Sequence, residues 1–109
     1  MNELAAQSGL KAATIKKINT VFSSHPNISQ VLLYGSRAKG NFRTGSDIDL
    51  TIKGEQLTLS ELTNIEIELD DLLLPHKIDL SLFHKIEEPD LIDHIQRLGL
   101  TFYENIERL

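Results

Sequence analysis

The sequence predicts an α/β (α+β) domain, a mixed β-sheet of about four strands packed with about three helices, over residues 1–109. Three observations predict it. Apolar residues recur at helical spacing in three stretches, and four shorter runs are continuously apolar or alternate with period two. The two kinds of segment interleave along the chain, which is the pattern of helices packed on a sheet. No repeat, low-complexity tract or linker interrupts them, and a chain of this length builds one core rather than a core and a separate substrate domain.

The first helix covers Leu10 to Ser24, with Leu10, Ala13, Ile15, Ile18, Val21 and Phe22 at a loosely helical spacing, closed by His25-Pro26-Asn27. Ile28 to Tyr34 reads as a mostly buried strand that stops at Gly35. Gly40 to Ser46 has loop chemistry, and Asp47 to Lys53 is a second strand ending at Gly54. Thr58-Leu59-Ser60-Glu61 is a capping-box pattern that opens a helix. Its apolar face carries Leu62, Ile65, Leu69, Leu72 and Leu73, and Pro75 stops it. That stripe reads as core, and Asp70-Asp71 as the polar face of the same helix. Lys77 to Phe83 alternates, with Ile78, Leu80 and Leu82 on one side and Asp79 and Ser81 on the other. Pro89 opens a last helix with Leu91, Ile92, Ile95 and Leu98 inward and Gly99 as its stop. Leu100 to Tyr103 closes the domain as a short strand, so Phe102 and Tyr103 read as strand residues rather than a stacking platform for a base.

Composition narrows the function classes. A formal net charge of −5 disfavours a general nucleic-acid binder, which needs positive charge against phosphate. The chain has no cysteine, so disulfides and thiolate metal sites are excluded. The N-terminal MNELAAQSGLKAATIKK lacks the layout of a signal peptide, and no apolar run approaches the roughly 20 residues that span a bilayer. A cytoplasmic protein that makes no membrane contact is expected. His25, His76, His84 and His94 show no metal-ligand spacing and read as surface or core-edge residues.

Chemistry concentrates in LYGSRAKGNFRTGSDIDLTI, residues 33–52. Side chains of a strand alternate, so Asp47 and Asp49 share a face with Cα atoms about 6.6 Å apart, while Ile48, Leu50 and Ile52 face the core. Asp79 has the same setting in its own strand. If the two strands are neighbours, three carboxylates meet, and each pair at about 6 Å repels by roughly 3 kcal/mol at an effective dielectric near 20. A hard divalent cation with oxygen ligands relieves that repulsion. Alone, an Asp-x-Asp pair reads more simply as the solvent-facing alternates of a half-exposed strand.

Gly35-Ser36 follows the first strand and leads into Arg37-Ala38-Lys39, a stretch able to start a short helix. Glycine lets the main chain approach a ligand, serine supplies a hydroxyl, and N–H groups at a helix start favour phosphate. Arg37, Lys39 and Arg43 add positive charge there. Alone, this too is a tight turn with solvated basic residues. Neither the Walker A pattern nor G-x-G-x-x-G is present.

Joined, the two signals give G-S-x(10)-D-x-D with a later aspartate. This resembles the signature of the polymerase-beta-like nucleotidyltransferase superfamily, and GSRAKGNFRTGSDIDL is similar to its minimal nucleotidyltransferase (MNT) branch. The resemblance implies that fold, and transfer of a nucleoside monophosphate, AMP from ATP, to an acceptor hydroxyl with release of pyrophosphate. It implies that Asp47 and Asp49 bind two Mg²⁺ ions, that Asp79 completes the catalytic metal site, and that Gly35 and Ser36 hold the β- and γ-phosphates. Lys39 stands where relatives place a phosphate-contacting base. Arg37 is a weaker candidate for the same task, and Ser46 caps either the phosphate site or its own turn.

Larger relatives carry a helical second domain for the acceptor, and 109 residues leave no room for one. MNT proteins are often paired with a HEPN-type helical protein, as antitoxin to its toxin, so the resemblance points to a tyrosine of such a partner as acceptor in a type VII-like toxin–antitoxin pair. Two alternatives stay open. One is a free-standing transferase acting on a small hydroxyl compound such as an antibiotic; the other is a non-catalytic module that masks its partner.

Overall fold

The computed structural model describes residues 3–106. In chain order the elements are α1 (Glu3–Ser8), α2 (Ala12–Ser23), β1 (Gln30–Tyr34), α3 (Ser36–Lys39), β2 (Ile48–Lys53), α4 (Leu59–Asp70), β3 (Ile78–Leu82), α5 (Pro89–Leu98) and β4 (Leu100–Glu104). A 3₁₀ turn, Phe83–Lys85, follows β3. The four strands form one mixed sheet in the order β3-β2-β1-β4, with β2 and β3 parallel and both pairings of β1 antiparallel. None of the described helices is long and apolar enough to cross a membrane.

The strands divide the sheet by parity. Val31, Leu33, Ile48, Leu50, Ile52, Leu80 and Leu82 enter the main core together with Ile15, Ile18 and Phe22 of α2 and Ile65 and Leu69 of α4. Leu32 and Thr51, partners in register, are also buried but have the opposite parity. They carry the second face, on the side of the sheet where Tyr34, Asp49 and Asp79 lie. α5 packs against β1 and anchors itself by Ile95, which is 1% exposed.

Several details depart from the sequence expectation. α1 is an additional helix of six residues, too short to be stable by itself. Tertiary bonds hold it: Gln7 Nε2 donates to the Ala38 carbonyl at 2.9 Å, and Arg37 Nη1 donates to the Ser8 carbonyl at 2.8 Å. Leu10 then lies between α1 and α2, buried, while Ala13 is exposed. The Thr58 cap forms, its Oγ1 accepting from the Glu61 N–H at 3.1 Å. α4 nevertheless ends at Asp70, so Leu73 leaves the apolar stripe: it has φ 56° and is 88% exposed, while Leu72 and Leu74 on either side pack on the core. Leu98, expected inward, is 39% exposed. Gly99 ends α5 in an extended conformation, φ −66° and ψ 141°, because the chain runs directly into β4. A bulge opposite Val31 and Leu32 brings both Phe102 and Tyr103 onto Phe22, with ring centroids 6.4 and 5.9 Å away.

Candidate active site

The site is a row across three strands. Tyr34 at the end of β1 is the register partner of Asp49 on β2, and Asp49 is the register partner of Asp79 on β3. Asp47 immediately precedes β2 and is exposed, as is Asp79, whereas Asp49 is half-buried. Burial, and then the charges of Asp79 and Asp47, push the Asp49 carboxyl above the ordinary aspartate range. Asp79 and Asp47 therefore both act on Asp49, the residue between them in the row. One row further along, Ser81 Oγ donates to Thr51 Oγ1 at 2.9 Å, which closes the polar floor behind the carboxylates.

Gly35 turns the chain out of β1 with φ 77° and ψ −154°. A Cβ there would collide with Asp49 Oδ2, so only glycine lets the carboxylate lie against the main chain. α3 starts at once: the N–H groups of Ala38 and Lys39 donate to the Gly35 carbonyl at 3.2 and 3.1 Å, and Gly40 with φ 82° closes it on the Ser36 carbonyl. Ser36 is half-buried beside this turn and Lys39 is exposed.

The remaining basic and hydroxyl residues divide. The Arg37 guanidinium is buried, the residue 2% exposed; its Nε donates to the Ser46 carbonyl at 3.1 Å and it stacks 5.0 Å over the Phe42 ring. With the Nη1 bond to Ser8, Arg37 is placed as a brace between α1, α3 and the loop before β2. Its burial lowers its pKa, and its charge adds to burial in lowering that of His76. Ser46 Oγ accepts from the Arg43 N–H at 2.8 Å and so belongs to its own turn.

A donor set of three carboxylates beside a glycine-shaped gap fits a hard divalent ion that takes its other ligands from water and phosphate. Among the described residues no group of three His, Asp or Glu side chains is drawn close enough to form a metal cage by itself.

Sequence reasoning missed Tyr34 and His94. Burial raises the Tyr34 hydroxyl pKa, the nearby Ser81 hydroxyl opposes that, and the charges of Asp49, Asp79 and Glu88 add to it. His94, read as a surface or core-edge residue, meets Tyr34 edge-on at 6.4 Å and accepts from the Gly35 N–H at 3.4 Å. Only the strand-end position of Tyr34 hinted at this; nothing in the spacing of α5 did. His25 lies elsewhere, between Glu61 and Glu68, 3.2 and 3.0 Å from their carboxylate oxygens.

A family model described as polymerase beta, nucleotidyltransferase, matches residues 16–108. A toxin–antitoxin structure with AMP-PNP superposes with TM-score 0.68 at 19% identity, covering 86% of this chain and 76% of that one. A toxin–antitoxin MntA-HepT structure gives TM-score 0.64 at 16% identity, covering 90% and 76%. A tri-AMPylated Shewanella oneidensis HEPN toxin in complex with MNT antitoxin gives TM-score 0.62 at 16% identity, covering 88% and 74%. No curated protein matches the chain.

Proposed function

The chain belongs to the polymerase beta nucleotidyltransferase family, and from that membership we propose that it transfers AMP from ATP to a tyrosine hydroxyl of a HEPN-type toxin, acting as its antitoxin. The observation that carries the reading is the row of carboxylates aligned by strand register and opposed to the Gly35-Ser36 turn. The solved toxin–antitoxin complexes that share its fold, one with AMP-PNP and one with an AMPylated HEPN toxin, support the nucleotide and the partner.

Asp47 and Asp49 would hold two Mg²⁺ ions, with Asp79 completing the catalytic position. Bound there, divalent ions supply stabilisation of the attacking and leaving oxygens of an in-line displacement. Gly35, having no side chain, would let the β- and γ-phosphates approach the main chain, and Ser36 would bind them through its main-chain N–H and its hydroxyl. Lys39, exposed on the same short helix, adds a positive charge at the phosphate end. Asp79, at the exposed edge of the row, lies where the acceptor approaches. The acceptor hydroxyl gives up its proton to water, its oxygen bonds to the α-phosphorus as the bond to the bridging oxygen breaks, and pyrophosphate leaves. The net charge of −5 suits a protein acceptor better than a nucleic acid.

Incubation of the protein with a HEPN partner, Mg²⁺ and α-labelled ATP should label the partner on tyrosine, with an added mass of one AMP. Chelation by EDTA should abolish labelling, and so should Asp47→Asn or Asp79→Asn with partner binding retained. Labelling of a small hydroxyl compound in place of the partner would show the acceptor assignment to be wrong. Neutralisation of the toxin by the Asp47→Asn protein would favour masking over catalysis.

A further inference from the structure

Among the residues that meet at the site, His94 has no part in the proposed transfer, yet it touches the element meant to hold the triphosphate. Gly35 lies beyond the end of β1, so its N–H has no strand ladder to donate to. A half-buried donor there still needs a partner, from the protein or from water. The acceptor is His94 Nε2, at 3.4 Å. The tie matters because of what Gly35 is. Without a Cβ its peptide planes rotate at little cost, and it already stands at φ 77°. The orientation of the peptide between Tyr34 and Gly35 sets the direction in which Ser36 and the start of α3 point. A contact from outside the loop is what keeps such a hinge in one setting.

His94 is itself well held. Ile95, its neighbour on α5, is buried, and α5 packs on β1. The His94 ring meets Tyr34 nearly at right angles, at 79°. Tyr34 in turn lies in register with Asp49. One imidazole thus connects the carboxylate row to the phosphate turn. We infer that His94 is a positioning residue: by accepting from the Gly35 N–H it holds the Gly35-Ser36 turn in the conformation that receives the β- and γ-phosphates of a nucleoside triphosphate. The inference rests on the reading of Gly35-Ser36 as the phosphate hold.

His94→Phe keeps the ring packed against Tyr34 and removes the acceptor; His94→Gln restores an acceptor atom near the Nε2 position. In nucleotide-free protein, the Gly35 amide should exchange about three- to tenfold faster in His94→Phe, the worth of one ordinary hydrogen bond. The KM for MgATP should rise by a similar factor with kcat within about twofold, and His94→Gln should recover both. Unchanged Gly35 exchange in His94→Phe overturns the tie, whatever the nucleotide does. A fall in kcat at constant KM, or no recovery in His94→Gln, overturns the positioning role. If the unsubstituted protein binds no MgATP while Gly35 exchange responds as expected, the tie stands, and the phosphate-hold reading falls together with the role assigned to His94.

Discussion

Gly35→Ala tests the geometry of the site through stability alone, without a substrate. At φ 77° and ψ −154° the residue occupies a region of backbone space open almost only to glycine, where another residue costs about 1–3 kcal/mol. The added methyl also collides with Asp49 Oδ2, and turning that carboxylate aside costs a further 0.5–1.5 kcal/mol or so. Lower entropy of the unfolded chain returns at most about 1 kcal/mol. A net loss of about 2 kcal/mol is expected, or a Tm lower by about 8 °C for a domain of this size. Urea unfolding followed by circular dichroism, treated as two-state, measures it. The two contributions separate in a double-mutant cycle. In an Asp49→Ala background the collision is gone, so Gly35→Ala should cost about 1 kcal/mol less. In an Asp49→Asn background, with an atom in the same place, the full cost should remain. Equal costs in all three backgrounds would refute the steric contact, and a neutral Gly35→Ala would refute the backbone conformation.

Two further outcomes follow from the same site and its supports. The raised pKa of Asp49 means that the folded protein binds a proton more tightly than the unfolded chain does, so this group's contribution falls as pH rises above about 4. Asp49→Asn should therefore melt higher than the unsubstituted protein at pH 7 and converge with it below about pH 3, while losing transferase activity; thermal scans across pH that show a constant difference would contradict this. Arg37→Met leaves the Ser8 and Ser46 carbonyls without their charged donor and should cost about 3 kcal/mol by urea unfolding, with faster amide exchange in α1 than elsewhere. Arg37→Lys should recover little of it, because an ammonium cannot span both carbonyls.

Much of the domain was legible locally. Period-two alternation placed Asp47 and Asp49 on one face and Ile48, Leu50 and Ile52 on the other, and the described residues follow that division. Thr58 and Pro89 marked helix starts because capping chemistry acts within a single turn. α1 escaped notice for the opposite reason: six residues carry too little propensity to signal a helix, and bonds from residues 37 and 38 hold it. The end of α4 was misplaced because leucine 73 fits the helical spacing, whereas the chain turns left-handed there to bring Leu74 inward before Pro75.

The division is clearest within the site. The sequence by itself determined which residues are the candidates for the chemistry, since Gly35-Ser36 and Asp47-x-Asp49 lie on one continuous stretch whose spacing is local. Whether Asp79 joins them depends on parallel pairing of β2 with β3 in register across 30 residues, a matter of packing and not of pattern. The same holds for Arg37, whose sequence reads as a free cation beside a phosphate loop. Tertiary structure buries it against two carbonyls and an aromatic ring, because an arginine in a closed corner is stable only with such partners. His94 shows the difference most fully. Its neighbours in α5 give no sign of a site, and only the docking of that helix on β1 brings an acceptor to the Gly35 amide that the strand leaves without one.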